Sequence, residues 1–400
     1  MWMEKNNQNE LLTRGISAIY PSKEFLVSKI AKGEKLTLYL GIDPTGPNLH
    51  LGHTIALKKL SDFQKAGHKI ILLMGDFTAM IGDPTDKGAA RKQLTHKEVM
   101  FNLKNYKKQA SKLISFTGKN PALFKFNSKW LGKMDFADVL NLASNMTVQQ
   151  MLERDMFKKR TEEGKPIFIH EFMYPLMQGY DSVAMDVDGE LGGNDQIFNM
   201  LCGRDLMKTL KNKEKFVVAV KLLEDNTGKK MGKTDGNMVS LSDTAELMYG
   251  SVMSWNDSLI ISGFELCTNT PMSDVEKLSN KLKSEQINPR DLKMRLAREV
   301  TAIYHGEKSA MKAEENWENV FSKKEIPTEI DSVNTKKGTL LVDVFLSQKI
   351  VSSKTDFRRL VESSAITNLD TDKKITSHIE VVDNGVYRIG KKRFCKIIVN

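Results

Sequence analysis

Two histidines stand three residues apart in the motif His50-Leu51-Gly52-His53, which follows a predicted strand and turn. The N–H groups at the start of a helix favour anions. Two imidazoles at that position can donate hydrogen bonds to charge that develops on a phosphoryl group, and the small Gly52 lets a phosphate come close. The motif therefore predicts a nucleotide site, although on its own it is more often a pair of capping histidines.

A second basic motif, Lys229-Lys230-Met231-Gly232-Lys233-Thr234, follows the last strand predicted in the same region. Two lysines on a loop can close over the charge of a departing pyrophosphate. Such a loop alone is typical of an exposed surface. Its occurrence together with the histidine motif, at opposite ends of one predicted sheet, favours chemistry on ATP.

Three polar residues share one face of a predicted helix. Tyr174, Gln178 and Asp181 are spaced i, i+4 and i+7 in an otherwise apolar segment, which places them on the same side of a helix. Buried polar groups need hydrogen-bond partners. An amino-acid substrate could supply those partners.

The elements that must hold these residues alternate between strand and helix. Apolar runs of strand length separated by helical patterns predict a parallel α/β sheet. The predicted strands are Leu36–Ile42, Lys69–Met74, Val187–Leu191 and Phe216–Leu223, with helices at about 49–65 and 195–210.

Other segments of the chain differ from this pattern. Residues 91–133 contain eleven Lys or Arg and one acid, Glu98; this is either a solvated helical face or a surface for a polyanion. Residues from Ser242 to about Phe321 are helical and polar. We predict an α/β domain over 1–235 with a basic helical insertion at about 91–180, a helical domain over 236–325, a linker over 326–337 and a small domain over 338–400.

Composition sets wider limits. The 400 residues carry a formal charge of +10, which favours polyanionic partners without indicating a fold. The three cysteines, Cys202, Cys267 and Cys395, are far apart, which favours a reducing compartment over a disulfide framework. The polar start resembles no signal peptide, and the longest apolar runs are too short to span a bilayer. We expect a cytoplasmic protein without a membrane segment.

Several blocks, in order along nearly the whole chain, resemble the bacterial tyrosyl-tRNA synthetases of class I. HLGH and KMGKT are similar to the HIGH and KMSKS motifs of that class. The other matching blocks are Tyr39–Thr45, Ile81–Pro84, Tyr174–Asp181, Gly192–Gln196, Pro289–Gly306 and the tail SQKIVSSKTDFRRLVE. The resemblance implies an α/β fold: a Rossmann-like parallel-sheet catalytic domain with an inserted helical segment, then an all-α anticodon-recognition domain over 236–325 and a small α+β RNA-binding domain over 338–400.

The resemblance also implies roles for individual residues. Asp181 and Tyr39 would bind the phenol of a tyrosine substrate, Asp83, Tyr174 and Gln178 its ammonium, and Gln196 its carboxylate, with Asp43 close by. The ATP site would consist of Thr45, His50, Gly52, His53, Gly193, Asp195, Lys230 and Lys233. The catalytic set would be His50, His53, Lys87, Arg91, Lys230 and Lys233, with the last four meeting pyrophosphate.

Four positions depart from the family pattern. Gly232 and Thr234 replace the two serines of the usual lysine motif, while both lysines remain. Leu40 and Ala56 stand where other members carry small polar groups near the ribose, so these two ribose contacts are not expected here.

The implied reaction has two steps: tyrosine and ATP give tyrosyl-adenylate and pyrophosphate, and transfer RNA for tyrosine then takes the tyrosyl group. Positioning and charge stabilisation suffice for such chemistry, with Mg²⁺ carried by ATP and no protein-bound metal. A homodimer is expected. The alternatives are a tryptophanyl enzyme, a smaller HxGH nucleotidyltransferase and a non-catalytic RNA-binding protein. Asp181 with Tyr39 favours a phenol over an indole, because an indole offers only a donor.

Overall fold

The computed structural model describes residues 10–83, 93–224, 238–322, 330, 332–348, 350–351, 353–390 and 393–399. The chain divides into two units, Met1–Glu314 and Glu315–Asn400. The finer division into catalytic domain, helical domain and linker stays a prediction.

A six-stranded sheet lies at the centre of the first unit. Its strands are β1 Ile16–Tyr20, β2 Thr37–Ile42, β3 Lys69–Met74, β4 Leu123–Phe126, β5 Gly189–Gly193 and β6 Phe216–Val220. They are ordered β1-β6-β5-β2-β3-β4, and every neighbouring pair is parallel except β1 with β6. The predicted parallel α/β sheet is confirmed, with each of the four predicted strands present.

The central strands are apolar along most of their length because helices cover both faces of a parallel sheet. All five residues of β6 are buried, as are five of the six residues of β3. The register sets Tyr39 of β2 opposite Ile71 of β3 on one side and Glu190 of β5 on the other. A charged residue thus lies in the middle of the sheet, next to a tyrosine.

Two strands of this sheet were not predicted from the sequence. Strand β1 has no helical pattern before it and pairs antiparallel with β6. Strand β4 contains Lys125 within the basic stretch 91–133, and it pairs parallel with β3 at the sheet edge. Part of the segment predicted as a helical insertion is therefore a strand of the sheet itself.

Helices cover the sheet and follow it along the chain. Those before residue 224 are α1 Lys23–Ala31, α2 Leu51–Lys65, α3 Thr78–Ile81, α4 His96–Leu103, α5 Tyr106–Ala110, α6 Ser128–Leu131, α7 Phe136–Ala143, α8 Val148–Leu152, α9 Asp155–Glu162, α10 Ile169–Met185 and α11 Ile197–Lys211. The later ones are α12 Ala245–Met253, α13 Ile260–Cys267, α14 Met272–Lys283, α15 Pro289–His305 and α16 Glu307–Ser322. The helical pattern predicted from Ser242 to about Phe321 is confirmed, since each regular element between residues 245 and 322 is a helix.

Arg14 joins the start of the described chain to the end of α13. Its guanidinium donates to four carbonyl oxygens between Phe264 and Thr270, at 2.7 to 3.0 Å. The last carbonyls of a helix lack partners within the helix, and one arginine with five donors can satisfy several of them. The helical segment is thereby tied to the sheet within the first unit.

The second unit has its own sheet and core. Its strands are β7 Ser332–Thr335, β8 Ile366–Asn368, β9 Lys373–Lys374, β10 Gly385–Ile389 and β11 Arg393–Val399, and its helices are α17 Leu341–Ser347 and α18 Lys354–Glu362. The strand order is β7-β11-β10-β8-β9. The core includes Phe345, Phe357 and Tyr387. Strand β7 falls inside the predicted linker and pairs with β11.

Within the described part of the chain, no helix combines the length and apolar character needed to cross a membrane.

Candidate active site

Helix α2 begins at the histidine motif. His50 is its N-cap residue, and its Nδ1 accepts a hydrogen bond from the Gly52 N–H at 3.1 Å. The His50 N–H in turn donates to Nδ1 of His53 at 3.2 Å, and the two ring centroids are 3.9 Å apart. Because both Nδ1 atoms accept, each neutral ring carries its proton on Nε2. Capping thus makes Nε2–H the donor of both rings at a helix N-terminus, where anions are favoured.

The chain that follows the lysine motif runs along the histidine motif. Leu51 N–H donates to Val239 O at 3.0 Å, and Leu241 N–H donates to Leu49 O at 2.9 Å, with His50 bridged to Ser240. Residues 239–241, which come after the lysine motif in the chain, are therefore held against the histidine motif. Lys230 and Lys233 lie outside the described residues, as do Lys87 and Arg91.

Asp43 follows β2 and accepts two hydrogen bonds from side chains. Tyr174 Oη donates to its Oδ2 at 2.9 Å, and Thr78 Oγ1 donates to its Oδ1 at 2.7 Å. Burial, followed by the charge of Asp43, raises the pKa of Tyr174 well above its ordinary value. The phenol is therefore held protonated as a donor to the carboxylate.

Asp181 lies deeper in the same network, with 3% of its surface exposed. Trp130 Nε1 donates to its Oδ1 at 2.7 Å, and Asn127 Nδ2 donates to its Oδ2 at 3.2 Å. Burial raises the pKa of Asp181 well above its ordinary value, although these two hydrogen bonds act in the opposite direction. A carboxylate has about four acceptor positions, so it can still accept from a further donor such as a substrate phenol.

A second network joins the other predicted tyrosine ligands. Gln178 Nε2 donates to Glu190 Oε1 at 2.9 Å, and Gln196 Nε2 donates to Asp83 Oδ2 at 2.8 Å. Between them, Asn199 Nδ2 donates to Oε1 of Gln178 at 3.0 Å and to Oε1 of Gln196 at 2.9 Å. One asparagine therefore sets the orientation of both glutamine amides.

Tyr39 is fully buried, and its hydroxyl has a protein partner. Its Oη lies 3.0 Å from Ser182 Oγ, which also accepts from Lys215 Nζ at 2.9 Å. Lys215 forms an ion pair with Glu190. Burial, followed by the charge of Glu190, raises the pKa of Tyr39 well above its ordinary value. Tyr39 therefore contacts the residue next to Asp181, and its predicted bond to a substrate phenol stays a prediction.

Thr45, Gly193 and Asp195, three of the residues predicted for the nucleotide, lie in turns at the carboxyl ends of β2 and β5. Thr45 N–H donates to Asp43 O at 2.8 Å in the turn after β2. Gly193 ends β5, where a Cβ would lie 2.5 Å from Oδ1 of the half-buried Asp195. A side chain at position 193 would therefore have to displace the Asp195 carboxylate.

Several polar residues of these networks were not identified from the sequence: Thr78, Asn127, Trp130, Ser182, Glu190, Asn199 and Lys215. Glu190 had a recognisable signal, since a carboxylate inside a buried strand needs a partner. Asn127 and Trp130 had none, because they lie in the basic stretch and reach Asp181 only through the fold.

Comparisons with known proteins identify the family of this chain. The family model of class I tRNA synthetases for tryptophan and tyrosine matches residues 31–322. The tyrosine–tRNA ligase of Thermotoga maritima is 43% identical over 398 residues, covering 99% of this chain and 98% of the relative. That of Carboxydothermus hydrogenoformans is 42% identical over 412 residues, with the same coverage.

Solved structures share the fold at lower sequence identity. The tyrosyl-tRNA synthetase of Archaeoglobus fulgidus, solved in complex with L-tyrosine, has a TM-score of 0.61 and 24% identity over 78% of this chain and 100% of that chain. A C-terminally truncated mitochondrial tyrosyl-tRNA synthetase of Aspergillus nidulans has a TM-score of 0.66 and 20% identity over 79% of this chain and 94% of that chain.

Proposed function

This chain belongs to the class I tRNA synthetases and, within them, to the tyrosine–tRNA ligases, and from that membership we propose how its residues divide the work. The enzyme activates tyrosine with ATP and transfers the tyrosyl group to transfer RNA. The tyrosine carboxylate attacks the α-phosphate of ATP, the bond to the β-phosphate breaks, and pyrophosphate leaves. The ribose hydroxyl at the 3′ end of the RNA then attacks the tyrosyl carbonyl, and AMP leaves.

The tyrosine substrate occupies the space between the two hydrogen-bond networks. Asp181 accepts a hydrogen bond from the phenol O–H of the substrate. Tyr39, whose hydroxyl contacts Ser182, lines the far side of that subsite. Asp43, Asp83, Tyr174 and Gln178 form the ammonium subsite, because carboxylates and amide oxygens suit a cation. Gln196 binds the carboxylate of the substrate. Support comes from Asn199, which fixes both glutamines.

ATP lies at the start of α2. Its phosphates approach Gly52 and the Nε2–H donors of His50 and His53, while Thr45, Gly193 and Asp195 meet the adenosine. Lys87, Arg91, Lys230 and Lys233 neutralise the pyrophosphate as it leaves. Donors that meet charge only as it develops lower the barrier more than they strengthen substrate binding.

Magnesium enters this proposal with ATP, as a partner of the phosphates. Among the described residues, no group of three or more His, Cys, Asp or Glu side chains could hold a metal ion. Every step proposed for the residues of this chain is one of binding, orientation or charge neutralisation. A cytoplasmic location belongs to the same proposal, and the three cysteines are buried free thiols.

We also propose a homodimer, formed through an apolar surface on residues 136–169. Phe136 and Leu140 are one helical turn apart on α7, and Phe136 is 77% exposed. Val148, Phe168 and Ile169 are exposed too, with Ile169 at 82%. Large exposed apolar patches of this kind mark protein–protein contacts. The basic stretch 91–133 and the C-terminal unit supply contacts for transfer RNA phosphates.

The observation that carries the proposal is the buried network that joins Tyr174 and Asp43 to Asp181 at the carboxyl end of β2, the strand that leads into α2. Tyrosine-dependent exchange of pyrophosphate into ATP is the experiment that tests it, with tryptophan and phenylalanine as control substrates. Exchange with tyrosine and charging of its transfer RNA are expected. Exchange with tryptophan alone would overturn the tyrosine assignment.

A further inference from the structure

A cavity lies between helix α2 and the helices α13 and α15, all within the first unit. Its volume is about 220 Å³. Three lysines line it, Lys58, Lys65 and Lys112, and no carboxylate is among its described lining residues. The tyrosine and ATP residues proposed above do not line it. An unbalanced concentration of positive charge in a concave site predicts an anionic ligand.

Helix periodicity explains why the lysines of α2 face this cavity. Thr54, Lys58, Ser61 and Lys65 are spaced four, three and four residues apart and so lie on one face of the helix. Ser61 Oγ donates to Leu113 O at 2.6 Å, which closes the wall near Lys112. Lys65 and Lys112 are exposed at the mouth, whereas Lys58 forms part of the wall.

The ammonium of Lys58 has no hydrogen-bond partner among the described residues, although its Nζ is buried. The neighbouring Lys59 differs sharply: its Nζ donates to Glu10 O and Leu11 O and pairs with Asp62 at 3.8 Å. Asp62, whose charge also acts on Lys58, is therefore already paired with Lys59. Buried polar groups in native proteins are almost always paired, so a missing partner indicates a ligand.

The charges around Lys58 come from several elements. Burial, together with the charges of Arg14 and Lys65, lowers the pKa of Lys58 to about 8, while Asp62 and Cys267 act to raise it. Burial also raises the pKa of the Cys267 thiol to about 12, so this thiol is neutral at pH 7. Near neutral pH, Lys58 is mostly charged and faces more positive than negative groups.

We propose that this cavity binds a phosphate group, held by Lys58 with Lys65 and Lys112. Lysine binds phosphate as a point charge with three donors, and the Asn269 amide in the lining adds another donor. A volume of about 220 Å³ exceeds that of a single water and falls below the roughly 300–1,000 Å³ of drug-sized sites. Free phosphate, a small phosphate ester or one phosphate of an RNA backbone has the required size and charge.

The test is titration of the full-length enzyme with inorganic phosphate, with binding measured by calorimetry and by the shift in thermal unfolding. Wild type should bind phosphate saturably. Lys58→Met should weaken phosphate binding by about tenfold or more, a loss of about 1.4 kcal/mol or more in binding free energy. Lys58→Arg should retain most of the affinity. Lys208→Met, an equal charge change on the exposed surface of α11, is the matched control and should bind like wild type.

Three readouts separate this site from the active site. Tyrosine-dependent pyrophosphate exchange should stay within about twofold of wild type in Lys58→Met, because Lys58 belongs to neither proposed substrate site. The apo variant should be no less stable than wild type, since an unpaired buried charge is removed. Sulfate, whose charge is constant across the range, should lose more affinity between pH 6.5 and pH 9.5 in wild type than in Lys58→Met, as Lys58 loses its proton; Lys112, whose pKa is also lowered by burial, contributes in both.

Transfer RNA distinguishes the two sources of phosphate. If the group belongs to RNA, Lys58→Met weakens RNA binding and lowers the magnitude of its salt slope by about 0.7–0.9. If it belongs to a free phosphate compound, RNA binding is unchanged and only phosphate binding is lost. Phosphate binding that is absent in wild type, or equal in wild type and Lys58→Met, would overturn the proposal.

Discussion

Burial of the Asp181 carboxylate costs free energy, which is why the pKa of this carboxyl lies well above the ordinary value. A site that hydrogen-bonds a substrate hydroxyl discriminates strongly against the analogue that lacks it, a principle for which tyrosyl synthetases are themselves the familiar example. We expect Asp181→Ala to reduce activation of tyrosine far more than that of phenylalanine, so that their ratio of kcat/KM falls towards one. Pyrophosphate exchange with each amino acid measures that ratio.

A matched variant separates recognition from packing. Trp130→Phe keeps an aromatic ring but removes the Nε1 donor that fixes Asp181, so it should reduce the ratio less than Asp181→Ala. A tyrosine-to-phenylalanine ratio in Asp181→Ala that equals the wild-type ratio would show that another residue reads the phenol.

The same carboxyl predicts a pH dependence of stability. Its pKa is higher in the folded than in the unfolded chain, where an aspartate titrates near 3.9, so the folded chain binds the proton more tightly. The contribution of Asp181 to stability is then complete below the unfolded pKa and is lost as pH rises through the folded pKa. The difference in unfolding free energy between wild type and Asp181→Ala should therefore decrease from pH 4 to pH 8 in urea titrations. A difference independent of pH would contradict the raised pKa.

At the scale of the element, the start of helix α2 combines a cap with a proposed catalytic group. Asparagine is among the best N-cap residues and alanine among the poorest, a difference of about 0.5–2 kcal/mol. His50→Asn should therefore keep the stability of wild type, while His50→Ala loses about that amount. Both should lower the rate of adenylate formation in single-turnover experiments, because both remove the Nε2–H donor. A wild-type rate of adenylate formation in His50→Asn would show that His50 acts only as an N-cap.

The centre of the sheet holds the ion pair between Lys215, which precedes β6, and Glu190 of β5, with 0% and 2% of the two side chains exposed. Removing one partner leaves a buried charge uncompensated, which typically costs about 3–5 kcal/mol. Lys215→Met should lose about that much in urea unfolding, and adding Glu190→Gln should restore part of it. Glutamine at 190 can still accept from Gln178, so a double variant as unstable as the single one would contradict the pairing.

The elements themselves were largely predictable, and their side-chain connections were not. Strands β2, β3, β5 and β6 follow from apolar runs bounded by turns, and α2 follows from its periodicity. Strand β4 escaped prediction because Lys125 and its basic neighbours obscure a short apolar run. The partners of Asp181 lie about fifty residues away in sequence at Asn127 and Trp130. Only the fold brings such distant residues together, since periodicity carries information about neighbours on one element alone.

At the scale of the whole molecule, the C-terminal unit is expected to serve the second reaction step. The sequence suggests removing it after about residue 336, but β7 at 332–335 pairs with β11, so a clean truncation ends at residue 322. The described residues proposed for adenylate formation all precede this point. The truncated chain should keep pyrophosphate exchange, bind transfer RNA more weakly and show a shallower salt dependence, because each lost phosphate contact removes about 0.7–0.9 from the slope.

A full-length variant tests the same role without removing a folded unit. Arg358 and Arg359 are exposed on α18, and Arg359 contacts Asp356 of the same helix at 2.9 Å, so replacing both with glutamine changes charge while leaving the core around Phe357 in place. We expect weaker charging of transfer RNA and a salt slope reduced by about one to two units, with exchange unchanged. Lys277→Gln and Lys281→Gln, two exposed positions on α14, give an equal loss of charge elsewhere for comparison. Equal losses of RNA affinity in both pairs would assign the effect to net charge, whereas a loss confined to Arg358 and Arg359 would assign it to contacts made by α18.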